Sequence, residues 1–183
     1  HNQTCKRSGI QWSAQVRKKE WKDDGTPLTE TDTQINQLVL DAVARTFPSH
    51  SLLSEEGSRP VEGAEFTWVC DPIDGTIPFS HGIPTSTFSL ALTDFGKPIL
   101  GLTLDPFLDR LFVAETGQEA TMNGQSIHVN DRSAIEHGLF YVNDWWGGAF
   151  DLGTVGAVIR ERGGLTFSLL SIAYGASLVA SGE

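Results

Sequence analysis

The chain has 183 residues and a formal net charge of −10, with hydrophobic (39%) and charged (20%) fractions of an ordinary globular protein. This balance excludes disordered and collagen-like classes, and it argues against nucleic acid or an anionic membrane as a partner, because both require basic surface. No apolar run reaches 18 residues and the opening HNQTCKRSGI lacks a secretory core, so a soluble, cytoplasmic protein is expected.

In chain order, Ile35, Leu38, Val39, Ala42, Val43 and Phe47 recur at three- and four-residue steps. They predict an amphipathic helix over 31–47, opened by a Thr cap and closed by Pro48. FTWVC (66–70) reads as a short buried strand, and Cys70 within it as a small core residue. The other cysteine, Cys5, shares no metal-binding spacing with it. Phe88, Leu90 and Leu92 alternate as in a half-buried strand. PILGLTLD and DRLFVAET continue the meander past Gly96 and Pro106, and Asn123-Gly124 marks a tight turn. GLFYV (138–142) is another strand, while LGTVGAVIRER and SIAYGASLVA have helical spacing. Helices flanking a mainly antiparallel sheet define an α+β protein.

The chemistry concentrates in WVCDPIDGTIPF (68–79), where an apolar strand ends in two aspartates. Pro72 prevents ordinary strand continuation and Gly75 permits a bend, so Asp71, Asp74 and the Ile73 carbonyl can converge. Oxygen ligands of this type suit a hard cation, Mg²⁺ above all. Thr76 adds a hydroxyl, and the Gly75 and Thr76 amides would cradle an anion if a helix begins there. Upstream, LLSEEGS places Glu55 and Glu56 at the end of a second apolar stretch. A lone DxxD is ordinarily a solvated turn, and only the combination of the two clusters points to a shared cation.

WVCDPIDGT resembles the first signature of the inositol monophosphatase family of Mg²⁺-dependent, lithium-sensitive phosphatases. KDDGTPLTETD (22–32), FPSHSLLSEEGS, FSHGIP, LDPFLDRLFVAETG and NGQSIHVN follow in family order, so the likeness covers roughly residues 15 to 183. It implies a layered α/β/α/β/α sandwich, usually a homodimer. The N-terminal α+β metal-binding part would span 1–135, and a C-terminal α/β part would start at 136–183. By the resemblance, Glu55, Asp71, the Ile73 carbonyl and Asp74 are ligands to two or three Mg²⁺ ions. Glu55, Thr76 and Asp32 would be catalytic, with Thr76 and Glu55 orienting the attacking water. Ile73, Asp74, Gly75 and Thr76 would meet a small phosphorylated substrate. Glu56 is expected to pack behind the ligands. Lys22 is expected as a solvated lysine, with the mouth of the site as its alternative.

The family's second signature, a Trp-Asp followed by small residues, has no counterpart here. Asp105, Asp109, Asp131, Asp144 and Asp151 all stand in other contexts. A fragment of a longer protein is therefore the expectation, and a non-catalytic, cation-binding member stays open beside the phosphatase. Ile77 and Pro78 replace the polar residue and Asn usual after DGT, which changes the substrate rim. Histidinol phosphate, a nucleoside bisphosphate or a sugar phosphate stand beside inositol phosphate. Trp145-Trp146 reads as a core or subunit contact, and Ser171 falls near a family contact segment with a weak local match.

Overall fold

The computed structural model describes residues 3–4, 11–12, 18–23, 27–143 and 151–183. Cys5, Asp144, Trp145 and Trp146 lie outside them. Two short antiparallel pairs come first: β1 (Gln3–Thr4) with β2 (Gln11–Trp12), and β3 (Glu20–Trp21) with β4 (Pro27–Leu28). Helix α1 then spans Glu30–Thr46, one residue earlier than the periodicity predicts. Its cap is Thr29, because Asp32 at the third helical position closes a reciprocal capping box with it.

The centre is a seven-stranded sheet in the order β11-β10-β9-β8-β7-β6-β5. Its strands are β5 (Ser51–Ser54), β6 (Phe66–Asp74), β7 (Thr87–Asp94), β8 (Lys97–Asp105), β9 (Arg110–Glu115), β10 (Thr121–Met122) and β11 (Gln125–Ser126). Every neighbouring pair is antiparallel except β5 and β6, which run parallel. Strand β6 does not stop at Cys70 as the sequence suggests. It continues to Asp74 through a register irregularity between Asp71 and Asp74, where Pro72 has no N–H to give the ladder.

Helix α1 packs on β5 and β6. Ile35 (5% exposed), Ile73 (1%) and Phe79 (0%) form the core there, with Val39, Phe88 and Phe107 against them. Phe79 belongs to the single-turn helix α2 (Thr76–Ser80). Beyond the large sheet, β12 (Leu139–Tyr141) pairs in parallel with β13 (Leu165–Phe167). Helix α3 (Leu152–Glu161) packs on β13, and α4 (Ile172–Ala180) packs on β6, β7 and β8. The Tyr141 hydroxyl donates to the Ser171 carbonyl at 2.7 Å, tying the small sheet to the start of α4. The layers run α1, large sheet, α4, small sheet, α3, which is the expected sandwich.

Strand parity separates the two faces of the large sheet. Phe88 belongs to the α1 face. Asp71 and Ser89, partners across β6 and β7, face α4 across a cleft. A buried carboxylate anchors α4: Asp105 accepts from the Phe107 and Leu108 amides at 2.8 and 3.1 Å and from the Tyr174 hydroxyl at 2.7 Å. Among the described residues, no helix is long and apolar enough to cross a membrane.

Candidate metal centre

Parallel pairing brings the two acidic clusters together. Ser54 lies opposite Cys70 in the β5–β6 register. Glu55, one residue past β5, therefore emerges beside Asp71, with strands about 4.8 Å apart. Asp71 and Asp74 bracket the irregular end of β6, and the Ile73 amide donates to Asp71 Oδ1 at 3.1 Å. Burial pushes the Asp71 carboxyl up to about 7, and the neighbouring charges of Asp74, Glu55 and Asp32 add to the rise.

Asp32 reaches the same place from α1. It is 2% exposed, and its Oδ2 accepts from the Thr29 amide at 2.9 Å and from the Thr29 hydroxyl. Burial raises its carboxyl to about 6 despite those two bonds. Thr76 donates to the Ile73 carbonyl at 3.1 Å, and its Oγ1 stands 3.5 Å from Asp32 Oδ1. Gly75 makes the bend with φ 87°. A Cβ there would lie 2.9 Å from the Leu170 carbonyl and 3.0 Å from Ser171 Cβ, so the turn requires glycine twice over.

Two partners were not legible in the sequence at this strength. Lys22, expected as a solvated lysine, bridges Glu55 and Glu56 at 2.6 Å each, and the Glu56 side chain behind it is only 8% exposed. Ser171, a weak local match, caps α4 and donates to Asp74 Oδ2 at 2.5 Å. The Ala173 amide donates to the same oxygen at 2.8 Å, and the Ile172 amide to Oδ1 at 3.3 Å. Asp74 thus seats on a helix N-terminus, where orphan amides and the helix dipole favour a carboxylate. A nine-residue helix too distant in sequence to connect with DPIDGT supplies that seat.

The donor chemistry fits a hard divalent cation. Asp71, Asp74, Glu55 and Asp32 present carboxylate oxygens, whose charges act together on Asp71. The buried hydroxyls of Ser89 and Thr87, in register with Asp71 and Asp74, have no hydrogen-bond partner among the described residues. The carboxylates converge without closing. Among the described residues, no group of three or more carboxylate, imidazole or thiol side chains is drawn together tightly enough to hold one ion. Lys22 engages Glu55 and the start of α4 engages Asp74, so closure requires those side chains to turn inward. His81, following the DGT turn, bonds through Nδ1 to the Ile77 carbonyl at 2.8 Å.

A layered α+β fold that gathers carboxylates at neighbouring strand ends defines the class of protein. The particular family follows from comparison: the model of the inositol monophosphatase family matches residues 6–146, and the chain belongs to that family. It is 38% identical over 117 residues to inositol monophosphatase 2 of Solanum lycopersicum, covering 61% of this chain and 44% of that protein. It is 35% identical over 127 residues to the Nus factor SuhB of Pseudomonas aeruginosa, covering 68% of this chain and 46% of that protein. The chain thus spans less than half the length of these two curated relatives. The solved IMPase of Thermotoga maritima superposes with a TM-score of 0.83 at 29% identity, over 92% of this chain and 65% of that one. An IMPase/NADP phosphatase complexed with Mg²⁺ and phosphate superposes with a TM-score of 0.77 at 26% identity, over 91% and 63%.

Proposed function

We propose that this protein is a divalent-cation-dependent phosphomonoesterase acting on a small phosphorylated alcohol, with the carboxylate cluster as its active site. The single observation that carries the reading is the parallel β5–β6 register that brings Glu55 beside Asp71, with Asp74 at the same irregular strand end. Carboxylates that repel one another at one strand end are sustained by a cation between them.

Glu55, Asp71, Asp74 and the Ile73 carbonyl would hold Mg²⁺, two or three ions in all. Bound there, the cation neutralises the ester oxygens and makes water a competent nucleophile near neutral pH. Thr76 uses its hydroxyl proton toward the Ile73 carbonyl, 3.1 Å away, so its oxygen is free to accept from an attacking water. Glu55, 48% exposed and reachable from solvent, takes that water's proton. Asp32, fixed by Thr29, stands behind Thr76 with its Oδ1 3.5 Å from that hydroxyl oxygen. The Gly75 and Thr76 amides receive the phosphate oxygens. The water oxygen bonds to phosphorus as the ester P–O bond breaks, and the departing alkoxide takes a proton from solvent and leaves as the alcohol, after which Glu55 returns its proton to solvent. The complex of a superposing relative with Mg²⁺ and phosphate supports this assignment.

A second reading is favoured by Lys22 and by the Ser171 bond to Asp74, which occupy two ligands at once. On that reading the cluster binds a cation or serves an assembly without turnover, and the likeness to a protein named as a Nus factor belongs with it. Phosphate release from inositol, histidinol, nucleoside and sugar phosphates, with Mg²⁺ and with EDTA, separates the two. Mg²⁺-dependent release that Asp71→Asn abolishes is expected. Cation binding without release from any ester would establish the second reading instead.

A further inference from the structure

Two buried hydroxyls beside the signature aspartates, those of Thr87 and Ser89, bond to nothing among the described residues. Thr87 is 0% exposed. With Thr93 they occupy alternate positions of β7 and so share one face of the sheet. Thr93 donates to the Thr67 carbonyl at 3.1 Å. The two beside the acidic strand end have no such acceptor. A buried hydroxyl without a partner is costly, and native folds rarely keep one without a reason.

The strand register shows what they stand next to. Ser89 lies opposite Asp71, and Thr87 lies opposite Asp74. Three steps along β6 thus match two along β7, and the extra residue brings Asp74 to the same face as Asp71. Strict alternation would send residues three apart to opposite faces. Directly opposed residues have Cβ atoms about 4.5–5.5 Å apart, so rotation about χ1 brings each hydroxyl within bonding reach of its aspartate. Asp74 has both oxygens engaged by the start of α4, through Ser171, Ile172 and Ala173. Turning inward costs Asp74 those donors, and Thr87 stands across the ladder with an unused one.

We propose that Ser89 and Thr87 are positioning residues for the cation site: their hydroxyls donate to Asp71 and Asp74 once those carboxylates turn inward, aiming the remaining oxygens at the cation. The inference rests on the cluster binding a cation, which both readings of its function share. It gives Asp74 two seats, the α4 N-terminus when the cluster is open and Thr87 when it is closed. Such a change of partner requires a hydroxyl that no other acceptor holds.

Mg²⁺ titration by calorimetry and urea unfolding in EDTA, both on the full chain, test it. Ser89→Ala and Thr87→Val should each weaken Mg²⁺ binding about tenfold or more, while Thr87→Ser, which keeps the hydroxyl, should retain the parent affinity. In EDTA, Ser89→Ala and Thr87→Val should keep or raise the parent's urea midpoint, because neither deletes an existing hydrogen bond. Thr93→Val should show the reverse pattern, a lower midpoint with unchanged Mg²⁺ binding. Parent-like Mg²⁺ affinity in both Ser89→Ala and Thr87→Val overturns the proposal. So does a midpoint in EDTA that falls in them as far as in Thr93→Val, since that marks a purely structural role. A parent chain that binds no Mg²⁺ removes the cation reading itself, and this inference with it.

Discussion

Ser171 donates a 2.5 Å hydrogen bond to Asp74 across 97 residues of chain, joining the N-terminus of α4 to the signature turn. The same hydroxyl accepts from the Tyr174 amide, so one oxygen serves the helix cap and the carboxylate together. Ser171→Ala removes a cap worth about 1 kcal/mol and a charge-assisted bond worth about 1.5–3 kcal/mol. Urea midpoints should fall accordingly, and Mg²⁺ titration should show tighter binding, because Asp74 is then freer to turn inward. Unchanged values in both would mean that Ser171 neither caps nor positions.

The pH dependence follows from Asp71. Its carboxyl is raised to about 7 in the folded chain, above the ordinary value of 3.8, so the folded state holds the proton more tightly than the unfolded state. The contribution to stability is present at low pH and is lost as pH rises from about 4 to about 7. Asp32, raised to about 6, acts with the same sign. In EDTA the chain should therefore lose a few kcal/mol at most across that window, and Asp71→Asn should flatten the loss. Urea unfolding at pH 5 and pH 7.5 measures it; stability rising with pH in both proteins would contradict the assignment. Mg²⁺ should stabilise the parent and leave Asp71→Asn nearly unaffected.

Gly75 offers a test of the turn by itself. Alanine there meets both a left-handed backbone and the Leu170 carbonyl at 2.9 Å. A cost of at least about 2 kcal/mol is expected. Gly117 has φ 81° with open space around it, so its alanine variant should cost only about 1–2 kcal/mol. Equal midpoints for the two variants would show that the contact with Leu170 does not matter.

Cys70 is 4% exposed, and burial pushes its thiol up to about 12. In a Cys5→Ser background, iodoacetamide at pH 8 should leave the native chain unlabelled and label it fully in urea. Rapid native labelling would place the β6 thiol outside the core.

The residues proposed to carry the chemistry stand close together in the sequence. Asp71, Asp74, Gly75 and Thr76 stand within six positions, and local rules suffice there: proline withholds an amide, glycine turns, and carboxylates seek a cation. The α1 helix was equally local, since its apolar spacing and the Thr29–Asp32 capping box span a few residues. Strand β6 was drawn too short, because a sequence pattern sees Pro72 as an end where the sheet absorbs it as an irregularity.

What tertiary structure alone decided is which distant groups meet. Glu55 stands beside Asp71 because β5 and β6 pair in parallel, and a one-residue slip of that register would turn Glu55 to the opposite face. Lys22 and Ser171 reach Glu55 and Asp74 from 33 and 97 residues away. Sequence determines each side chain's chemistry and local geometry, because these depend on near neighbours. Long-range pairing is settled by the burial of whole faces, to which each residue contributes only a small part.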